Sequence, residues 1–301
     1  MCKPTGMHAS KTALALPPKL EDYPPGNALL TAWMVGVVLW GWVASWAAQV
    51  VFTYTFGLGM VKSRLEFWNG KIFRTLSARS LPALTPGVSV QVTKDSWKPE
   101  QAHLDGKVGL MVVANHRSFM DPYAVGSALA PLETKYVAKG DLFDVPFGGW
   151  AMQRAGDLAV KYDPKKNDGW GAVKGATGQL LHKAAEQLEA GNSICIFPEG
   201  TRMGFCPTRA AEAAAHPSKL MPFKAPFFDV AKKLDVGVVC CAVKGTDDIL
   251  PLGSNLFRPA VVRVKLSAPM FGRDYADEDK FADAVRLQVG TMYQDLCRDY
   301  P

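Results

Sequence analysis

From Asn27 to Met60 the chain carries no charged residue. A solvent-facing segment of that length rarely dispenses with charge, so a soluble protein throughout is the first reading to lose ground. The first 26 residues hold no arginine, whereas organelle transit peptides are arginine-rich. The apolar run after them is too long for a secretory signal, so organelle import has no support from the sequence. Cys2, Cys195, Cys206, Cys240, Cys241 and Cys297 form no Cys-x-x-Cys pair and have no matching histidine spacing, so no metal site is implied. Several stand in apolar, strand-like runs, where cysteine behaves as a small buried hydrophobe, and this places the main domain in a reducing compartment. The net charge of +6 comes without any basic run, so nucleic-acid binding lacks a second signal and is not expected.

What is present divides the chain in three. Residues 1–26 are rich in proline, lysine and small residues and read as a flexible leader. Residues 27–80 read as a membrane-anchoring helical region, because about 20 apolar residues suffice to cross the hydrocarbon core. The run is longer than that, which fits either a tilted helix or two helices bent near Gly41 that stay in one leaflet. Trp33, Trp40, Trp42 and Trp46 suit interfacial depths, and Lys62, Arg64, Lys71 and Arg74 follow as if to meet anionic headgroups.

Residues 81–301 read as an α/β catalytic domain. Apolar runs beginning at Leu110, Lys135, Asp157, Ser193, Val236 and Val261 look like strands. Helical periodicity occupies Gly169 to Ala190, with Leu180, Leu181, Ala184 and Leu188 on one stripe, as well as Ala225 to Leu234 and Glu278 to Leu296. The expected fold is a central mixed sheet flanked by helices.

Two short words carry chemistry. The first, Asn115-His116-Arg117-Ser118-Phe119-Met120-Asp121, follows the strand at Leu110. A separation of five puts His116 and Asp121 on different faces of a regular helix, so they meet only through a turn. Asp121 before Pro122 reads as an N-cap with proline at the first helical position. A neutral imidazole suits removal of a hydroxyl proton near pH 7, and a carboxylate on its other nitrogen fixes the tautomer. A mere helix cap and a surface histidine explain this motif alone equally well. The second word, Phe197-Pro198-Glu199-Gly200-Thr201-Arg202, follows the strand at Ser193. Gly200 lets backbone amides approach an anion, and Thr201 and Arg202 add a hydroxyl and a planar double donor suited to phosphate. Glu199 is expected to hold Arg202 or a substrate hydroxyl.

The two words in this order resemble the glycerolipid acyltransferases that acylate glycerol-3-phosphate or lysophosphatidic acid, and the lysophosphatidate branch most closely. The resemblance runs from the apolar segment to about Pro269. It includes Val137-Ala138-Lys139, Pro146 to Trp150 and Arg154-Ala155-Gly156, a block that in the family places a basic side chain near the acceptor phosphate. Here Lys161 and Tyr162 stand where the family usually has an arginine, so Lys139, Arg154 and Lys161 share that expectation. Cys240 replaces a proline of the fourth block. Phe223-Lys224 resembles the segment between the third and fourth blocks.

The resemblance implies that His116 deprotonates the acceptor hydroxyl and Asp121 orients it, with Asn115, Arg117, Ser118, Lys139, Arg154, Glu199, Gly200, Thr201 and Arg202 around the substrates. Acyl-CoA or acyl-carrier protein serves as co-substrate and no cofactor is required. Amides of the Asn115 loop are candidate oxyanion donors. The partners are then a lysophosphatidic acid-type lipid, an acyl thioester and a bilayer, in the endoplasmic reticulum, a bacterial inner membrane or an organelle membrane. Rival acceptors are glycerol-3-phosphate and other lysophospholipids. From other classes come a lipid hydrolase, using Ser118 or a His-activated water, and a non-catalytic lipid-binding protein. No Gly-x-Ser-x-Gly elbow surrounds Ser118, and an activated thioester needs no acyl-enzyme. His8, His103, His182 and His216 have no partner motif, and Trp97 and Trp170 read as packing residues.

Overall fold

The computed structural model describes residues 18–163, 171–173, 175–205 and 207–301. Most of the leader, along with Cys2, His8, Trp170 and Cys206, lies outside the described residues.

Helices α1 (Ala28–Thr55), α2 (Lys62–Phe73) and α3 (Ser80–Leu84) come first, with one π-helical turn over Arg74–Ala78 between the last two. Then follow β1 (Val88–Val92), α4 (Gln101–Leu104), β2 (Met111–Ala114), α5 (Asp121–Leu129), β3 (Thr134–Lys139), α6 (Gly148–Arg154) and β4 (Leu158–Val160). A two-stranded ribbon of β5 (Tyr162–Asp163) and β6 (Gly171–Ala172) leads to α7 (Ala176–Glu189), β7 (Ser193–Ile196), α8 (Pro207–Ala215) and α9 (Pro226–Lys233). The chain closes with β8 (Val238–Lys244), α10 (Thr246–Ile249), β9 (Ala260–Leu266) and α11 (Glu278–Asp299).

The seven-stranded sheet runs β1-β9-β8-β2-β7-β3-β4. Every neighbouring pair is parallel except β8 and β9, so the expected mixed sheet is present. Its central strands are buried on both faces, which is why they read as unbroken apolar runs. Successive residues of β2 serve opposite layers: Met111 and Val113 pack with α7, α9 and α11, while Val112 and Ala114 pack with α1, α3 and α5.

Most of the uncharged segment forms one uninterrupted helix, α1, that runs through Gly41. Asn27 caps α1 by accepting the Leu30 N–H at 3.0 Å. Met34, Val37, Gly41, Ser45 and Gln49 form a buried stripe at helical spacing. Gly41 lets the axis come close to the π-helical turn, since a Cβ there would stand 3.1 Å from Leu76 O and Ser77 Cα. Gln49 Nε2 donates to Asn69 O and Ala151 O at 2.9 and 3.1 Å. The opposite face leaves Leu29, Trp33, Leu39, Trp40 and Val51 exposed.

Two expectations change here. Trp42 and Trp46 turn inward, the first donating to Tyr123 Oη at 3.2 Å and the second packing on the rings of Phe147 and Trp150; only Trp33 and Trp40 of the four are on the outer face. Of the four cations expected at headgroups, three are engaged within the protein. Arg64 and Lys71 donate to the carbonyls of Asp105 and Leu104, and Arg74 is buried against Asp157. The α2 helix folds back over the domain, and the carbonyls at the end of α4 need donors.

Candidate active site

Strands β2 and β7 are adjacent and parallel, with Val113 opposite Ile196. Three residues further along the chain, just past the end of each strand, stand His116 and Glu199, so the strand register brings together two words some 80 residues apart. The loops beyond them meet at the carboxyl edge of the sheet, where open α/β folds place their ligand sites. His116 donates its backbone N–H to Glu199 Oε1 at 2.8 Å, and His116 O accepts from Met203 N at 2.9 Å.

A turn between β2 and α5 does bring His116 and Asp121 together, with Nδ1 2.7 Å from Oδ2. Asp121 is fully buried, while the imidazole is 20 % exposed and stacks on Phe197 at 4.5 Å. The carboxylate can only accept, so Nδ1 carries the hydrogen and Nε2 keeps its lone pair for the cavity. Asp121 is not the expected cap of α5. It is the first helical residue, after Met120, and its carboxylate reaches backwards. Oδ2 also accepts the N–H groups of Arg117 and Ser118 at 2.6 and 2.8 Å. With the His116, Arg117 and Ser118 amides all bonded, none of the three is free to meet an oxyanion.

The remaining Asp121 oxygen, Oδ1, accepts from the buried Thr246 hydroxyl at the start of α10. Thr246 lies outside both sequence motifs. The available signal was Lys244-Gly245-Thr246 directly after an apolar strand, with Gly245 at φ +97° turning the chain toward the dyad. Asn115 sets that distance. Its Nδ2 donates to Val243 O at 2.9 Å and its Oδ1 accepts Val243 N–H at 2.8 Å, which extends the β2/β8 ladder by a side chain. Only an amide side chain offers both functions here.

Arg117 is buried, with Nε donating to Asp247 at 2.9 Å and its guanidinium 5.2 Å from the Tyr293 ring. Ser118 Oγ donates to Leu250 O at 2.8 Å. Both fasten the loop to the β8–β9 connection and neither lines the cavity. Glu199 holds neither Arg202 nor the cavity: its oxygens accept the His116 and Met221 amides from beneath. Burial pushes its carboxyl up to about 7 against those two bonds.

A cavity of about 450 Å³ opens beside His116. Its lining includes the charged or polar Arg74, Lys139, Asp157, Thr201 and Arg202 together with Gly200, and Trp42, Phe73, Ala78, Tyr123 and Met152 give it apolar walls. Thr201 Oγ1 is buried with no hydrogen-bond partner among the described residues. Arg202 lies over the Phe205 ring at 4.4 Å. Lys139 is half-exposed and pairs with Asp141 at 2.6 Å. Arg154 is elsewhere, its Nη2 donating to Thr53 Oγ1 of α1 at 2.8 Å, and Lys161 is exposed and outside the lining. His103 and His216 are engaged with Val108 O and Ser218 Oγ, and His182 is exposed beside Glu186. Trp97 packs against the core.

Residues 90–244 match the family model described as Acyltransferase. Over 179 residues, 59% of the chain, the sequence is 32% identical to the 1-acyl-sn-glycerol-3-phosphate acyltransferase BAT2, chloroplastic, of Brassica napus, of which the match covers 44%. Over 92 residues, 31% of each protein, it is 34% identical to a lyso-ornithine lipid O-acyltransferase of Pseudomonas aeruginosa. The chain thus spans less than half the length of the chloroplastic relatives it matches. The crystal structure of PlsC, the 1-acyl-sn-glycerophosphate acyltransferase of Thermotoga maritima, superposes with a TM-score of 0.65 at 22% identity, covering 90% of this chain and 95% of that one. At that identity the likeness speaks for the fold.

Proposed function

Because this chain belongs to the acyltransferase family, we propose that it moves a fatty acyl group from a thioester to the free hydroxyl of a 1-acyl-glycerol-3-phosphate, giving phosphatidic acid. The observation that carries this reading is the oriented His116–Asp121 pair on a cavity whose lining combines several cations with apolar walls. His116 Nε2 takes the acceptor hydroxyl proton as the oxygen attacks the thioester carbonyl. The new ester C–O bond forms, the C–S bond breaks, and the imidazolium returns the proton to the departing thiolate. Asp121 stabilises the imidazolium meanwhile. Arg202 and Thr201 hold the acceptor phosphate, and the apolar walls take hydrocarbon. The donor is acyl-CoA or acyl-carrier protein.

The Ser118 hydrolase reading is weakened, since the hydroxyl is turned to Leu250 O and away from His116. The bilayer is the proposed setting. The helix α1 is long and apolar enough to cross a membrane, yet its buried stripe from Met34 to Gln49 fixes about 22 Å of axis to the domain. That favours an arrangement in which the exposed apolar face enters one leaflet.

The test is purified protein in liposomes with a panel of lysolipids, acyl-CoA and acyl-carrier protein. Lysophosphatidate is the expected acceptor, and His116→Ala is expected to abolish transfer while the melting temperature stays near wild type. Free fatty acid release without an acceptor would indicate a hydrolase. Transfer by His116→Ala at the wild-type rate would remove the base.

A further inference from the structure

The cavity wall holds a cation that belongs to neither motif. Lys224 donates its backbone N–H to Pro198 O at 3.1 Å, which seats it beside the Glu199–Arg202 turn. Its side chain lies against Gly200: a Cβ on that glycine would stand 2.7 Å from Lys224 Nζ and 2.8 Å from Cε. With φ at +71°, Gly200 is needed both for the turn and for the passage of this lysine.

Lys224 is exposed, lines the cavity, and has no ion-pair or hydrogen-bond partner for its ammonium among the described residues. Other lysines here have counter-ions: Lys135 pairs with Glu133, Lys233 with Asp229 and Lys265 with Asp95. Desolvation and then the neighbouring Arg209 lower the Lys224 pKa. An ammonium on a cavity wall beside the Gly200 turn, with no anion of its own, is placed to pair with an anion that a ligand brings. The buried, unpartnered Thr201 hydroxyl on the same cavity is a second polar group awaiting a ligand.

We propose that Lys224 is a specificity-determining residue whose ammonium, with the Thr201 hydroxyl and Arg202, binds phosphate-ester oxygens in this cavity. The inference rests on the acyl-transfer reading above and adds a residue to it. Phosphate could come from the acceptor headgroup or from the thioester carrier, and the acceptor is the expected source because the seat adjoins the base that activates its hydroxyl.

The experiment compares wild type with Lys224→Met, which keeps the apolar stem, and Lys224→Arg, which keeps the charge. Acceptors are lysophosphatidate and phosphate-free monoacylglycerol. Donors are palmitoyl-CoA and palmitoyl-N-acetylcysteamine, a thioester without phosphate. Inhibition of transfer by inorganic phosphate is measured alongside. Lys224→Met should raise the lysophosphatidate KM and the phosphate Ki roughly tenfold to a hundredfold, the worth of one charge-assisted hydrogen bond. The monoacylglycerol and both donor KM values should stay within about twofold, and Lys224→Arg should recover most of the loss. A rise confined to palmitoyl-CoA, together with the raised phosphate Ki, would assign the same seat to donor phosphate. Unchanged KM and Ki values, or equal losses on phosphate-bearing and phosphate-free substrates, would overturn the proposal. A wild type that acylates no glycerolipid acceptor would instead sink the functional reading on which it rests.

Discussion

Thr246→Val is the substitution that most directly probes the dyad without touching it. Valine keeps the branched shape and removes the hydroxyl that donates to Asp121 Oδ1. That oxygen is fully buried, so no water replaces the lost donor, and a hydrogen bond to a carboxylate is worth about 1.5–3 kcal/mol. Asp121 keeps three donors on Oδ2, so the carboxylate stays in place but loses the contact that fixes its rotation toward His116. Part of the cost falls on folding and part on the transition state, where the imidazolium leans on Asp121. The kcat should fall about tenfold or more while both KM values change little, and Thr246→Ser, which restores the donor, should recover most of it. The assay is steady-state transfer with purified protein, accompanied by melting curves. A Thr246→Val enzyme with wild-type kcat would show that Oδ1 needs no donor, and a serine variant as poor as valine would mean that the methyl group, rather than the hydroxyl, matters.

Two further outcomes follow from burial and close packing. Glu133 and Glu199 are both pushed up to about 7 by burial. The folded protein holds protons that the unfolded chain has released by about pH 4.5, so their contribution to stability is full below that value and lost as pH rises through about 7; a melting temperature that does not fall between pH 5 and 7, or a slope unchanged in both Glu133→Gln and Glu199→Gln, would refute this. Gly41→Leu should destabilise by about 1–3 kcal/mol, because its Cβ would meet the π-helical turn at 3.1 Å, whereas Gly36→Leu on the same helix meets nothing within 4 Å. Equal unfolding midpoints in detergent for the two variants would contradict the packing of α1.

The strands β2, β7 and β8 are buried on both faces and stand out in the sequence as continuous apolar runs, while β4 and β9 stand out by apolar content although they alternate or lie at the edge. The edge strand β1, Val-Ser-Val-Gln-Val, mixes polar and apolar residues and was not among the runs identified. The helix α7 begins at Ala176, seven residues after the start of its apolar periodicity, because periodicity marks a face and not an end. In the site, the pairing of His116 with Asp121 was legible since both lie in one short word. Thr246 was not, and Lys224 was singled out only as part of a resembling segment, because both reach the site through strand order: β8 lies beside β2, and the chain after β7 folds back on Pro198. Arg117, Ser118 and Glu199 illustrate the converse. A motif keeps residues together for holding a loop as readily as for touching a substrate, and only burial and partners separate the two.

The two faces of α1 bear on how a water-soluble form of this protein could be made. Trimming the chain back to the sheet would discard Trp42 from the cavity wall and Met34 and Val37 from the core that backs β2, so the remainder would be a damaged enzyme instead of one freed from its tether. Repainting is the alternative. Polar residues at Leu29, Leu39, Trp40 and Val51 would alter only exposed positions, while Trp33, whose indole N–H donates to Leu84 O, stays, so the inward stripe, and with it the reaction chamber, is left as it is.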